Sequence, residues 1–219
     1  MSIPPGWLVL SKISKRLQQA IIVSEDGLFY LHAGYDLEQL RGALKDSFVL
    51  KKKMRGASTI TQQLAKNLFL SRDKTFGRKG QELILSIMIE KYADKQKILE
   101  SYLNIIEYGK NLYGIDQAAH FYFNKNALNL TARESAFIAM LLPSPVKYAK
   151  SFQKKSLTAF AKRIIDSILL KMRQAGYISE SEYQEQLVSR FSWEKTNNEP
   201  STEIFAEESG NEFELIEGE

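Results

Sequence analysis

The stretch that decides how this sequence is interpreted reads EDGLFYLHAGYD at residues 25–36 and GASTITQQLAKNL at residues 56–68. It closes on Arg78 and Lys79, with Glu82 just beyond. A carboxylate in a glycine-containing segment is followed by hydroxyls and amides, then by cations and a second carboxylate. Two acids separated by cations and hydrogen-bond donors suit the transfer of a sugar away from a phosphate, because a departing phosphate needs positive charge and donors around it.

Each of these residues also has a plainer interpretation. Glu25 is either a surface charge at a helix end or, with partial burial against a neighbouring aromatic, a base of raised pKa. Glu82 is either a second functional acid or the partner of Arg78 and Lys79 in ordinary helix-surface ion pairs. For His32 we prefer a buried, hydrogen-bonded structural role to metal ligation. Five cations form either a solvated face or, with helix N-terminal amides, a phosphate site: Lys66, Arg72, Lys74, Arg78 and Lys79.

Hydrophobic periodicity predicts an all-α protein. Apolar residues recur at helical spacing after a cap at Ser11 or Ser14, and again after Ser58 or Thr59. Leu83, Ile84, Ile87 and Met88 are predicted to form the buried stripe of a helix over residues 78–91. A helix over residues 95–107 is predicted to have a corresponding buried stripe, formed by Ile98, Leu99, Tyr102, Leu103 and Ile106. Further helices are expected over residues 36–47, from a Thr131–Glu134 capping box to Pro143, from Thr158 to Gly176, and after Ser179. No strand of useful length is predicted.

Residues 48–57 fit neither the helical nor the strand period. Their mixture of apolar and cationic side chains is predicted to form a mobile flap. It is either an ordinary basic loop or a segment that touches a membrane surface.

Charge is distributed unevenly along the 219 residues. Eight glutamates and no Lys or Arg lie between Glu199 and Glu219, which leaves 30 bases against 18 acids, a net charge of +12, in residues 1–198. A body this basic is expected to meet an anionic partner. We divide the chain into a folded domain at residues 1–190 and an acidic, disordered tail at residues 191–219.

Several classes of protein are disfavoured. Cysteine is absent, and two histidines are too few for a His-rich metal site. No Walker loop, Gly-x-Gly-x-x-Gly, His-Glu-x-x-His or EF-hand pattern occurs. No helix pattern combines a dense basic face with interleaved aromatics, so no nucleic-acid partner is expected. No run of 18 or more apolar residues occurs, and the sequence therefore predicts no transmembrane helix.

Five ordered blocks of sequence carry a resemblance to a known family. They are Glu25–Asp36, Gly56–Leu68, Arg78–Glu90 (with Ser86 where the family usually has alanine), Lys95–Gly109 and Ala118–Lys125. Over roughly residues 7–187 the chain resembles the peptidoglycan glycosyltransferase family (glycosyltransferase family 51), and in particular its monofunctional members and the transglycosylase domain of class A penicillin-binding proteins.

The resemblance implies a lysozyme-like, two-lobed fold with a central cleft, and polymerisation of lipid II into β-1,4-linked glycan with inversion and release of undecaprenyl pyrophosphate. It implies that Glu25 is the general base and Glu82 the second acid, acting directly or through a divalent ion. It places seven further residues at the donor's sugar and pyrophosphate: Ser58, Thr59, Gln63, Lys66, Asn67, Arg78 and Lys79. The implied cofactor is Mg²⁺ or Mn²⁺ near Glu82.

The resemblance also implies partners and a location. Partners are lipid II, the growing glycan strand, a membrane surface, moenomycin-type inhibitors and cell-wall synthesis proteins. The expected location is the outer face of the bacterial cytoplasmic membrane. Family members normally carry a membrane helix just before the segment that Trp7 begins, and this chain departs from that pattern.

Two other functions compete with synthesis. A lytic transglycosylase or muramidase would share the fold and an essential glutamate, but the cations between Lys66 and Lys79 favour synthesis, because a lytic enzyme holds no pyrophosphate. An inactive cell-wall binding module is disfavoured because the acids and cations of the blocks are all present.

Overall fold

The computed structural model describes residues 6–36, 58–70 and 76–195. The helices within these ranges are α1 (Lys15–Glu25), α2 (Ile60–Phe69), α3 (Phe76–Tyr92), α4 (Lys95–Ile105), α5 (Ile115–Phe123), α6 (Ala132–Leu141), α7 (Pro145–Tyr148), α8 (Lys150–Lys154), α9 (Ala159–Gln174) and α10 (Glu180–Val188). Single 3₁₀ turns lie at Leu10–Lys12 and Ala127–Asn129. The prediction of an all-α fold is confirmed. No helix in these ranges has the length and apolar character needed to cross a membrane.

A small antiparallel hairpin was not predicted. Strand β1 (Glu107–Gly109) pairs with β2 (Leu112–Tyr113) and has an irregular register between Glu107 and Gly109. Strands of three and two residues are too short to give a recognisable alternation of apolar and polar side chains.

Most helices begin where the sequence predicts, because a hydroxyl or carboxylate satisfies their first amides. Ser14 accepts from the Arg16 amide, and Ser179 accepts from the Glu182 amide. Thr59 and Thr131 each form a complete capping box, with Gln62 and Glu134 respectively. The caps therefore fix the starts of α1, α2, α6 and α10.

Helix α6 is the centre of the larger group of helices. Every one of its residues is buried, and it packs against both α1 and α9. Phe137 lies in an aromatic cluster with Phe123, Phe191 and Trp193 at centroid distances of 5.8, 5.3 and 5.6 Å. Phe191 and Trp193 thus belong to the packed body, beyond the predicted boundary at residue 190. The remaining tail, and the predicted flap and helix over residues 36–57, lie outside the described residues apart from Asp36.

A second group of helices carries the candidate site. Helix α2 packs against α3 and α4, and α4 also contacts α5 and the first 3₁₀ turn. The buried face of α4 follows the prediction, with Ile98, Leu99, Tyr102 and Leu103 all enclosed. Helix α4 therefore joins the two groups.

The predicted burial of α3 is wrong. Ile84, Ile87 and Met88 are 61%, 45% and 51% exposed, whereas Glu82 and Ser86 are 5% and 0% exposed. The polar face of the helix is directed towards α2. Glu90 on this face accepts a hydrogen bond from Thr61 of α2 and forms an ion pair with Lys95 of α4. Periodicity located the two faces of this helix but could not show which one packs against α2. Hydrogen bonds and ion pairs with distant residues compensate for burying the polar face.

Candidate active site

Glu25 is the last residue of α1, and its side chain is held by a partly buried chain of hydrogen bonds. Gln63 Nε2 donates to Glu25 Oε2 at 2.9 Å. The hydroxyl of Tyr102, on α4, donates to Gln63 Oε1 at 2.9 Å. Because that bond occupies the amide oxygen, the amide nitrogen of Gln63 faces the carboxylate. Tyr102 therefore orients the residue that binds Glu25.

Burial raises the pKa of Glu25 above its ordinary value, and the charge of Asp26 raises it further. Hydrogen bonds from Gln63 and Ser24, together with the more distant charge of Lys171, lower the pKa and offset part of that effect. A carboxylate whose ionised form is partly desolvated is a stronger proton acceptor than a surface glutamate. The environment of Glu25 suits general-base chemistry near neutral pH.

Asp26 ties the loop after α1 to the start of α2. Its Oδ1 lies 2.8 Å from His32 Nε2, and its Oδ2 accepts from the Ile60 amide at 3.0 Å. The Gly34 amide donates to His32 Nδ1 at 3.2 Å. With Nδ1 accepting, Nε2 carries the ring proton, so His32 is a neutral donor to Asp26. The predicted hydrogen-bonded position of His32 is confirmed.

Gly34 lets this loop approach α3 closely. Its φ is +87°, and a Cβ atom placed there would lie 3.0 Å from both the Ser86 carbonyl oxygen and Glu90 Cγ. Its own carbonyl accepts from the Thr59 hydroxyl at 2.8 Å. Only glycine adopts this backbone region at low cost while leaving room for the helix.

Glu82 lies in a second cluster, which we call the Glu82 group: Ser58, Arg78, Lys79 and Glu82. Lys79 Nζ is 2.8 Å from Glu82 Oε2 and 2.8 Å from Ser58 Oγ. Arg78 Nε is 3.5 Å from Glu82 Oε1. The Glu82 side chain is only 6% exposed, but that of Lys79 is 46% exposed. A buried carboxylate thus positions two cations, one of which remains open to solvent.

The first turn of α2 connects the two clusters. Gln63 donates to Glu25, while Oε1 of the adjacent Gln62 lies 3.5 Å from Lys79 Nζ. Consecutive residues of one helix therefore contact the surroundings of both acids. Six of the nine predicted residues fall into two neighbouring groups: Glu25 with Gln63, and Ser58, Arg78 and Lys79 with Glu82.

The three remaining predicted residues lie at the cap and near the end of α2. Thr59 is buried; its hydroxyl donates to Gly34 and accepts from the Gln62 amide, so in this structure it caps the helix. Lys66 and Asn67 are exposed near the end of α2. Their proposed contacts with substrate stay predictions.

Sequence reasoning missed three residues that shape the site: Asp26, Gln62 and Tyr102. The sequence indicates Tyr102 only as part of an apolar stripe, and it assigns no role in the site to Asp26 or Gln62. The position of Tyr102 in the apolar stripe of α4 gave no sign that its hydroxyl reaches Gln63, because that contact joins residues 39 positions apart.

A family model described as transglycosylase matches residues 5–172. The chain belongs to this family. As a transglycosylase it is an enzyme that transfers glycosyl groups, and the blocks that suggested the resemblance include both acids.

Curated relatives agree with the family match. A biosynthetic peptidoglycan transglycosylase of Paraburkholderia xenovorans is 44% identical over 165 residues, which cover 75% of this chain and 68% of the relative. A protein of the same name from Acinetobacter baumannii is 43% identical over 159 residues, covering 73% and 70%. One from Janthinobacterium is 41% identical over 170 residues, covering 78% and 72%.

A solved structure also matches this transglycosylase. Penicillin-binding protein 1A of Haemophilus influenzae aligns with a TM-score of 0.45 and 22% identity. The match covers 85% of this chain and 18% of that much longer chain.

Proposed function

We propose that this glycosyltransferase builds peptidoglycan by polymerising lipid II. The acceptor is a growing or incoming glycan end with a free 4-hydroxyl, and the donor is a sugar linked to a lipid pyrophosphate. The product is a β-1,4 bond formed with inversion at the donor C1. Family membership and the biosynthetic names of the curated relatives support this assignment.

The observation that carries the proposal is the contrast between the two acids. Glu25 is bound by a neutral amide and has a raised pKa, whereas Glu82 is paired with Arg78 and Lys79. Acids in such unlike environments are suited to different tasks in one reaction. Glu25 is suited to move a proton, and the Glu82 group to meet negative charge.

In the proposed reaction, Glu25 accepts the proton of the attacking 4-hydroxyl. The hydroxyl oxygen forms a bond to the donor C1 as the bond between C1 and the phosphate oxygen breaks. The electron pair of that bond leaves with the pyrophosphate. Gln63 and Tyr102 hold the carboxylate in place for this step, so that little rearrangement is needed as the proton moves.

The Glu82 group stabilises the departing pyrophosphate. Lys79 and Arg78 supply positive charge, and Ser58 supplies a hydroxyl beside Lys79. Preorganised cations lower the barrier because negative charge grows on the leaving group in the transition state. We place Lys66 and Asn67 further along the donor, as contacts to its phosphate or sugar.

Mg²⁺ or Mn²⁺ near Glu82 stays a prediction. Within residues 6–36, 58–70 and 76–195 no group of three acidic, histidine or cysteine side chains is arranged to hold a metal. The one predicted ligand, Glu82, is already paired with two cations. The described residues alone do not form a site for a resident divalent ion, and we derive no step through one.

The proposed substrate places the enzyme in the cell envelope. We propose that it works at the outer face of the cytoplasmic membrane, where a lipid-linked donor presents its sugars. A moenomycin-type phosphoglycolipid would occupy the donor site, since it combines sugar, phosphate and lipid. Cell-wall synthesis proteins are the expected partners.

Polymerisation of labelled lipid II in detergent tests the proposal. The intact chain is expected to produce a ladder of glycan products, and Glu25→Gln and Glu82→Gln to reduce product by at least about a hundredfold, the scale expected for loss of a general base or an electrostatic partner. Glu185→Gln, a change at an exposed position of α10, is the matched control and should leave the ladder unchanged. Mg²⁺, Mn²⁺ and chelator arms measure the dependence on metal.

Two outcomes would overturn the proposal. If the intact chain makes no polymer but shortens purified glycan strands, the enzyme is lytic. If it binds lipid II without either activity, it is a binding module.

A further inference from the structure

A cleft of about 390 Å³ lies outside the candidate active site. Its walls come from the β1–β2 hairpin, α5, α7 and α8, and include Phe121, Tyr122, Val146 and Phe152. Lys110 and Lys155 also line it. None of the residues assigned above to the chemistry of Glu25 or Glu82 takes part. The cleft therefore needs an explanation of its own.

Fixed contacts hold the walls of the cleft. The Tyr122 hydroxyl donates to the Tyr108 carbonyl at 2.8 Å, and a Cβ atom at Gly109 would come within 2.9 Å of that hydroxyl. The Phe152 ring lies 5.2 Å from Phe121 and 4.9 Å from Tyr122. These contacts form the apolar surface before any ligand arrives, and a preformed aromatic surface lowers the entropic cost of binding.

The elements that form the cleft carry several lysines. Lys110 and Lys155 line it, and Lys147, Lys150 and Lys154 lie on α7 and α8. Lys155 Nζ lies 3.7 Å from the centroid of the Phe152 ring, so positive charge sits directly on the aromatic wall. A ligand that combines apolar side chains with carboxylates would match both properties.

The described chain ends beside this cleft. The amide of Lys195 donates to the carbonyl of Lys155 at 3.0 Å, and Trp193 lies 5.6 Å from Phe152. The sequence that follows carries eight glutamates between residues 199 and 219, interspersed with Phe205, Phe213 and Leu215. Ten residues of extended chain span about 33 Å, which is ample to bring Phe205 back from Lys195 to the cleft.

We propose that residues 199–219 bind this cleft within the same molecule. Apolar side chains of the segment pack against Phe121 and Phe152, and its glutamates face the lysines of α7, α8 and the hairpin. Residues 199–219 are the occupant because their glutamates and apolar side chains complement the lysines and aromatic walls of the cleft. The described chain also ends beside the cleft, so the segment can reach it. The proposal does not depend on the reaction assigned to the active site.

Disulfide trapping in the full-length chain tests the proposal, because the protein contains no cysteine that would interfere. Gln153→Cys, at an exposed position lining the cleft, is paired with Ala206→Cys or, separately, Asn211→Cys. Gln96→Cys, at an exposed position of α4, paired with the same tail cysteines, is the matched control. Specific binding should make intramolecular cross-linking at Gln153 roughly tenfold faster than at Gln96, since docking raises the effective concentration of the two thiols.

Charge variants sharpen the test. Lys154→Glu combined with Lys155→Glu should remove most of the excess cross-linking, as should high salt, which screens the attraction. Lys15→Glu, which reverses an exposed charge at the start of α1, should change nothing. Equal rates at Gln153 and Gln96 would overturn the proposal. Cross-linked dimers in place of intramolecular products would show instead that the cleft takes the segment of a second copy.

Discussion

Helices α6 and α3 solve the problem of burial in opposite ways. Helix α6 encloses every residue and packs between α1 and α9, so its contribution is the stability of the scaffold. Helix α3 encloses Glu82 and Ser86 and exposes Ile84, Ile87 and Met88. The stability of the scaffold therefore depends mainly on α6, and the proposed chemistry depends on α3.

Removing the central aromatic of α6 should have the largest effect. Phe137→Ala deletes a fully buried ring that contacts Tyr122, Phe191 and Trp193, and should cost about 3–5 kcal/mol of unfolding free energy. Chemical denaturation monitored by circular dichroism measures the loss. A cost below about 1 kcal/mol would mean that α6 is not the centre of the scaffold.

Gly34→Ala should damage the contact between the loop and α3. The added Cβ meets Ser86 and Glu90 at 3.0 Å in a backbone region that disfavours alanine, so we expect a loss of about 1–3 kcal/mol. Gly27→Ala is the matched control, because nothing lies within 4 Å of a Cβ there. Thermal unfolding of both variants should separate them clearly, and equal melting temperatures would contradict the proposed close approach.

Tyr102→Phe should affect both stability and chemistry. Loss of the hydroxyl leaves Gln63 Oε1 without its donor, at a cost of about 1–3 kcal/mol. The freed amide binds Glu25 less well, so the pKa of Glu25 rises and the acid limb of kcat/KM moves to higher pH.

The control for this variant is Tyr108→Phe, which removes another fully buried hydroxyl, one that donates to the Leu103 carbonyl. It should lower stability by a similar amount without moving the pH profile. If the two variants have the same profile, Tyr102 is structural only.

Glu25→Gln should lower activity by at least about a hundredfold while stabilising the fold at neutral pH. The pKa of Glu25 is higher in the folded protein than in the unfolded chain, so the folded protein loses stability as pH rises from the ordinary value of 4.5 through the raised value. The neutral amide avoids that cost. We expect a melting temperature higher than that of the wild-type protein at neutral pH.

The pH dependence provides the check for Glu25→Gln. Below pH 4.5 the wild-type side chain is protonated in both states, and its stability should converge with that of the variant. A constant difference at all pH values would mean that the charge of Glu25 is not responsible.

The smallest effect is expected on the outer face of α3. Ile84→Ser changes a side chain that is 61% exposed, and should alter stability by less than about 0.5 kcal/mol. The stripe predicted from the sequence would have required a loss of several times that amount. Urea denaturation distinguishes the two.

The sequence allowed prediction of the features that depend on neighbouring residues. Thr59, Thr131 and Ser179 mark helix starts because each cap contacts an amide only a few positions away. The buried stripe of α4 was predictable from its periodicity because the residues that pack against it are also apolar. The relation of Glu82 to Arg78 and Lys79 was anticipated for the same reason, since all three share one helix.

Contacts between distant residues were not predictable. The burial of the polar face of α3 depends on contacts with Thr61, Lys95 and Gly34, which come from three other segments of the chain. The roles of Asp26 and Tyr102 likewise depend on partners 34 and 39 positions away. Local patterns identify the residue types, but only the packed structure determines which hydrogen bonds repay the burial of polar groups.

The adjacency of Gln62 and Gln63 has a consequence for how the site tolerates change. Successive residues of a helix are rotated by about 100° around its axis and rise by about 1.5 Å. The helix therefore holds these two amides at fixed positions relative to each other, one against Glu25 and the other against Lys79. Inserting one residue between Thr61 and Gln62 would turn both amides away from their partners together. Substitutions in the first turn of α2 can be tested one side chain at a time, whereas a change in its length misaligns both acids at once.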